Sequence, residues 1–380
     1  MTADDTSCAQ IAKSLFGGKC VQLPVSVSLL DYRPVNVCVL AAIARVSTSK
    51  KSFKEAVKMS EEECKKWILE VICRGHTSVL EHAVYTFEAV CSRVCSHQLV
   101  RHRIASYTQQ SMRYTEGFMR EAILALAKIV GINVPFKPRK KDDYLAYAKV
   151  IERALDMLAL VETSKDQSTT INNNTSDGQL MAKIIDALSR AFTYNPLWTL
   201  EHMLKATHTY LQALYEYYTL LASGASLEDA RYVLPGSVKT RIIFTMNARE
   251  LLEVFLPLRM CSRAQWEIRQ LAWRVWELLN KVHPEIFAYA GPRCILLDLR
   301  ARKKPCTLQD YLKGNCKPVI EQCPEKTPQQ AILSCVKTAY NNSIDIVSCN
   351  ICPENFKVEK HVSHQFPSPN LLANPTSNKL

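Results

Sequence analysis

Apolar and polar positions alternate most plainly just before residue 90. Val84, Thr86, Glu88 and Val90 point one way and Tyr85, Phe87 and Ala89 the other, which predicts a strand over Ala83–Val90. Upstream, Trp67, Leu69, Val71 and Ile72 give the charged stretch Glu61–Arg74 an apolar surface, predicting a helix stopped by Gly75. Ser92 is placed to cap a second helix over Arg93–Leu99. Residues 35–40 read as a strand running into an Ala-rich helix that ends near Ser47. Residues 1–20 are weakly patterned and are expected to be a flexible N-terminus.

A second dense block covers residues 204–292. Tyr210, Leu211, Leu214, Tyr218 and Leu221 recur at helical spacing up to Gly224. Ser226 with Asp229 reads as a capping box for a short helix ended by Pro235, and residues 240–245 are strand-prone. Asn247 with Glu250, and Ser262 with Gln265, are read as opening two more helices, the last running to Pro284. Between the blocks, residues 117–200 change character and are read as an insertion, not a second domain, with a polar low-complexity stretch over 163–178. The main domain is therefore expected over 21–293. Beyond Cys294 the periodicity fades, so 294–380 is read as a Cys-containing, largely irregular extension that a working chain ending at Arg293 could lack.

Composition adds three constraints. No apolar run reaches the length of a membrane helix, and Asp4 and Asp5 interrupt any signal-peptide pattern, so a cytoplasmic protein is expected. Fifteen cysteines in 380 residues are too sparse for a disulfide scaffold, and Cys64, Cys73, Cys91 and Cys95 read as reduced, buried thiols. The net charge of +12 implies an anionic partner, either nucleic acid or phosphates on small molecules held by arginines. Only 10 glycines and no GxGxxG argue against a Rossmann dinucleotide site.

The segment from Arg101 to Tyr114 (RHRIASYTQQSMRY) is the most unusual in the chain. Arginine forks bind phosphate oxygens bidentately, and serine hydroxyls and backbone N–H groups complete such sites. Arg101, His102, Arg103, Ser106, Ser111, Arg113 and Tyr114 match the signature of flavin-dependent thymidylate synthases, which the chain resembles. Thr108 and Gln109 depart from the commoner Asn-Glu, removing a carboxylate. Further elements follow in family order: His76 to His82, Glu228 to Pro235, Asn247-Ala248-Arg249, then Arg259 and Ala264 to Ile268. Between Asn247 and Arg259 the chain carries one residue more than that pattern, which leaves the flavin-contacting position between Glu253 and Val254 open.

The resemblance implies an α+β fold, with an antiparallel-rich central sheet and packed helices, assembled as a homotetramer with shared active sites. It implies reductive methylation of dUMP to dTMP with FAD, 5,10-methylenetetrahydrofolate as carbon donor and NADPH as reductant. On that pattern FAD falls to Ser78, Arg101, His102, Arg103, Gln109, Asn247, Ala248 and Arg249. The dUMP falls to Gln98, Arg101, Gln109, Gln110, Ser111, Met112, Arg113, Arg231 and Arg259. Arg259 is the expected catalytic residue, stabilising negative charge on the uracil ring.

Other features weigh less. His76, His82, His97 and His102 lack zinc-ligand spacing, Cys349 and Cys352 form a lone C-x-x-C, and Cys294, Cys306, Cys316 and Cys323 fit no standard site, so no metal is expected. The rival reading is a basic nucleic-acid-binding module, but no recognisable RRM, KH or helix-turn-helix pattern supports it. A flavin- and folate-dependent enzyme acting on uracil within RNA remains a third reading.

Overall fold

Four strands form one antiparallel sheet in the order β1-β2-β4-β3: Ser26–Arg33 (β1), Val84–Ser92 (β2), Ala105–Gln109 (β3) and Lys239–Asn247 (β4). The computed structural model describes residues 25–50, 52–163 and 176–344. The expected N-terminal segment, residues 164–175 of the low-complexity stretch, and Cys349 and Cys352 lie outside them. The alternation in β2 decides which face is packed. Tyr85, Phe87 and Ala89 are buried beside Ile242, Phe244 and Met246 of β4, with Phe87 and Phe244 stacked at 5.1 Å.

Helices Cys38–Val46 (α1), Glu61–Arg74 (α2), Arg93–Leu99 (α3), a helix over 248–259 and Trp266–Val282 surround this core. Between β3 and β4, Gly117–Val130 (α4), Lys141–Thr163 (α5), Ser176–Ser189 (α6) and Leu200–Ser223 (α7) close around a separate core that includes Tyr147, Ile151, Leu188, Phe192 and Tyr218. The later helices are numbered α8 (248–259), α9 (Trp266–Val282), α10 (Arg293–Ala301), α11 (Leu308–Lys313) and α12 (Gln329–Ile344). The stretch 117–200 thus supplies most of a helical layer with its own interior. No helix among the described residues is long and apolar enough to cross a membrane.

Several expectations match the structure residue by residue. Glu61–Arg74 is helical, with Ser60 at its N-cap and Gly75 in the left-handed region at φ 74°. Ser92 Oγ accepts from Cys95 N–H, capping α3. Asn247 Oδ1 accepts from Glu250 N–H at 2.8 Å and caps α8.

Four expectations are corrected. The first strand is Ser26–Arg33, not 35–40: Pro34 has no N–H to extend a ladder, and Asn36 Oδ1 then turns the chain by accepting from Cys38 N–H at 2.8 Å. Ser262 does not cap α9. Gln265 does, its Oε1 accepting from Glu267 and Ile268 N–H at 3.1 and 3.2 Å. Cys64 is not a reduced thiol, because packing of α1 on α2 brings its Cα to 5.0 Å from that of Cys38 and the two form a disulfide. Cys306 and Cys316 are also joined.

The fourth concerns the tail. Residues 293–344 are not irregular: Ile295, Leu299, Leu308, Tyr311, Ile332, Val336 and Ala339 are all buried in the main core. Asp298 fastens this layer, accepting from Arg302, Tyr311 and the N–H groups of Val319 and Ile320. Tyr340 lies edge-on to Trp273 of α9 at 5.2 Å. Two of the three helices are short, prolines separate them, and their apolar faces acquire meaning only against the core they cover.

Candidate active site

The arginine-rich segment leaves α3, forms β3 and turns out of the sheet toward α4. Its two ends face different surroundings. Ala105 pairs with Met246 and Gln109 with Ile242, so four residues of strand separate them by about 14 Å.

At the Gln109 end lies a cavity of about 500 Å³, lined by Gln109, Gln110, Ser111, Met112, Arg231 and Arg93 among others. Gln109 is fixed there, its Nε2 donating to Ser96 Oγ at 2.9 Å and to Thr240 Oγ1 at 3.2 Å. Among the described residues the buried Gln110 Oε1 has no hydrogen-bond partner, an acceptor open to a ligand. Glu228 draws two guanidiniums together, lying 3.6 Å from Arg231 and 3.8 Å from Arg113. Arg93 and Arg231 border the cavity as like charges. Burial, then the Arg231 charge, lowers the Arg93 pKa, so an anion between them would relieve both.

Arg93 was not anticipated from the sequence. Its backbone N–H donates to Val238 O at 2.9 Å, and this approach of β4's leading loop sets Arg93 beside Arg231. The pairing joins residues far apart in the chain, and no local pattern reports it.

Toward the other end of the sheet sits a chain of three side chains. Arg259 Nε donates to His102 Nε2 at 3.0 Å, and its Nη2 donates to Gln98 O at 3.3 Å. With Nε2 accepting, the His102 proton is on Nδ1, which donates to Glu250 Oε1 at 3.3 Å. His102 is buried at 5% exposure, and burial followed by the Arg259 charge pushes its pKa down to about 4. Neutral imidazole is what lets it accept from a guanidinium.

That pair predicts an acid-sensitive stability. The unfolded histidine titrates near 6.5 and the folded one near 4, so its contribution is complete above pH 6.5 and is lost as pH falls toward 4. Thermal midpoints of the native chain should drop more steeply across that window than those of His102→Gln. Parallel curves would remove His102 from this role.

The other expected residues are distributed as follows. Asn247, Ala248 and Arg249 open α8, packed against the short 3-10 helix Thr77–His82 that carries exposed Ser78. Arg249 pairs with Glu81 at 2.5 Å, and Ala248 N–H donates to Ala83 O at 2.8 Å. Arg101 and Arg103 are exposed, as is Arg113, while Gln98 is half-buried behind Arg259. Gln109 therefore stands with the cavity, at the opposite end of β3 from the Asn247 group.

A family profile described as "Thymidylate synthase complementing protein" matches residues 28–285. A flavin-dependent thymidylate synthase of Aeropyrum pernix is 40% identical over 325 residues, covering 83% of this chain and 94% of that protein. The chain belongs to the flavin-dependent thymidylate synthases. A relative of that name from Saccharolobus solfataricus is 37% identical over 317 residues, covering 82% of this chain and 95% of its own. Among solved structures, flavin-dependent thymidylate synthase of Helicobacter pylori complexed with FAD and dUMP is 23% identical, with a TM-score of 0.44 over 70% of this chain and 99% of that one. At that TM-score the likeness bears on neither fold nor site.

Asn247 and Arg259 bound α8, the first at its N-cap and the second in its last turn. The middle turn of α8, Leu251–Phe255, is π-helical, and Leu256 N–H bonds back to Leu251 O. A π-turn holds one residue more than an α-turn, so Asn247 and Arg259 stand farther apart along the chain than an unbroken α-helix of the same number of turns would place them. Pro257, which has no N–H to donate, follows directly. Glu253 is engaged by Thr77 Oγ1 at 2.8 Å, Arg300 at 2.5 Å and Arg249 at 3.4 Å, whereas Val254 is exposed.

Proposed function

We propose that this enzyme converts dUMP to dTMP by reductive methylation, with FAD as cofactor, 5,10-methylenetetrahydrofolate as carbon donor and NADPH as reductant, in the cytoplasm. The observation that carries the reading is the single cavity gathering Gln109, Gln110, Ser111 and Met112 with Arg231 and Arg93. Paired guanidiniums suit a nucleotide phosphate, and a buried free amide oxygen suits an N–H of the nucleotide. Gln98 lies on the same α3 as Arg93, its carbonyl holds Arg259, and both complete the expected dUMP set with Arg101 and Arg113.

FAD would be held by Ser78, Arg101, Arg103, Asn247, Ala248 and Arg249, with Gln109 reaching it from the cavity side. The donor set fits: exposed Arg101 and Arg103 offer forks for a pyrophosphate. When bound, the flavin supplies hydride chemistry. His102, by contrast, is turned inward and acts through Arg259. Arg259 holds a fixed positive charge for the negative charge that develops around uracil N3 and its carbonyls. No cysteine nucleophile is needed.

Ile104, Tyr114 and Tyr232 are 65%, 78% and 82% exposed around the same residues. Apolar surface of this size beside half-enclosed arginines favours a homotetramer whose subunits complete each other's sites. Omitting dUMP, methylenetetrahydrofolate, NADPH and FAD in turn from an assay of dTMP formation tests the reading. Turnover on tRNA with none on free dUMP would replace it.

Arg93 and Arg231 give a separable prediction. Each Arg→Ala change should raise the KM for dUMP by about ten- to a hundredfold, the usual loss of a hydrogen bond to a charged group. Weak inhibition by deoxyuridine, which lacks the phosphate, should be unaffected. Equal losses for both ligands would place the phosphate elsewhere.

A further inference from the structure

Among the described residues seven cysteines are free, and four of them converge on one small cavity. Cys261 comes from the turn after α8, Cys294 from the first turn of α10, Cys323 from the loop before α12, and Cys335 from α12 itself. The cavity holds about 40 Å³, close to the volume of one water molecule. Cys73, Cys91 and Cys95 do not border it.

A tight turn surrounds Cys323 and aims one backbone N–H at its sulfur. Cys323 N–H donates to Thr327 O and Lys326 N–H to Cys323 O, both at 2.9 Å. Thr327 N–H then donates to Cys323 Sγ at 3.3 Å. Lys326 makes the turn at φ 60°, the only positive φ among the described non-glycine residues. Across the cavity, the Ser262 hydroxyl lies 2.9 Å from Cys335 Sγ.

We propose that Cys261, Cys294, Cys323 and Cys335 form a tetrahedral four-thiolate site for one structural divalent cation of the zinc type, which clamps the tail to the end of the helix bearing Arg259. Four sulfurs without imidazole or oxygen ligands select such an ion. Four S–H protons pass to solvent as four metal–sulfur bonds form, and no oxidant is needed. Arg263 and Arg293 border the cavity and offset the charge of the metal complex, against Glu325 on the same wall. No three metal-ligating side chains among the described residues stand close enough to hold an ion as placed, so the site requires the thiols to turn into the cavity. Cys261 stands two positions after Arg259, which places the clamp next to the proposed active site.

The test is elemental analysis of the full chain, made in zinc-supplemented medium without an affinity metal. About one zinc per chain is expected. Cys323→Ser and Cys335→Ser should each lower that content severalfold, while Cys73→Ser should leave it unchanged. In the wild-type protein, alkylation under native conditions should spare these four cysteines until a chelator removes the metal. Two outcomes overturn the proposal: wild-type protein free of zinc, or peptide mapping that finds these cysteines joined as disulfides.

Discussion

Arg259→Ala should keep its fold and its flavin yet form dTMP about a hundred to a thousand times more slowly, the loss typical when one transition-state charge stabiliser is removed. Two nitrogens of the guanidinium are fixed, Nε on His102 and Nη2 on Gln98 O. Among the described residues Nη1 makes no hydrogen bond, which leaves both of its N–H groups for a substrate. Burial lowers the Arg259 pKa, but a guanidinium remains charged at any working pH. A lone cation at a helix end would contribute only a fraction of a kcal/mol through the helix dipole and nothing to turnover. The two roles separate in a kcat measurement on folded, flavin-loaded protein. Arg259→Lys should recover little, since one ammonium cannot bond His102 and the Gln98 carbonyl and still present a planar fork. Near-normal turnover by the alanine variant would take Arg259 out of the mechanism.

The second large effect is on stability. A chain ending at Arg293, which the sequence alone suggested would work, should instead fail to give soluble folded protein. It loses the buried side chains of Ile295, Leu299, Leu308, Tyr311, Ile332 and Val336 and uncovers the face of α9 around Trp273. Each such side chain contributes about 1.5–3 kcal/mol when fully buried. Six of them together match the about 5–15 kcal/mol that separates folded from unfolded domains. Soluble expression and a cooperative thermal transition in the shortened chain would show that the tail is only a cover. Asp298→Ala offers a milder check, because it unfastens Arg302, Tyr311 and two backbone N–H groups while leaving the apolar contacts in place. Its thermal midpoint should fall by several degrees, as expected for a broken buried network in a chain of this size.

Much of the fold could be read from local chemistry because its causes are local. Gly75 ends one helix by adopting a left-handed turn and Ser92 starts another by satisfying an orphan N–H, whatever lies around them. The alternation through Tyr85, Phe87 and Ala89 fixes one buried strand face on its own. The arginine-rich signature, with the elements on either side of it in order, sufficed to identify the family.

Tertiary structure decided the rest, wherever the deciding partner lies far along the chain. His102 could be named as a site residue from sequence, but that it is neutral and holds Arg259 depends on Glu250 and Arg259, each about 150 residues away. Arg93 became a candidate ligand only when β4's loop set Arg231 beside it, and the tail became core only when α9 met α10 and α12. The cysteines divide in the same way: local spacing described them as scattered thiols, whereas packing joins Cys38 to Cys64 and brings four others to one cavity. Capping, periodicity and motif chemistry act within a few residues and are written in the sequence. Burial, desolvation and charge pairing depend on which distant segments meet, and that follows from the packing of the whole chain.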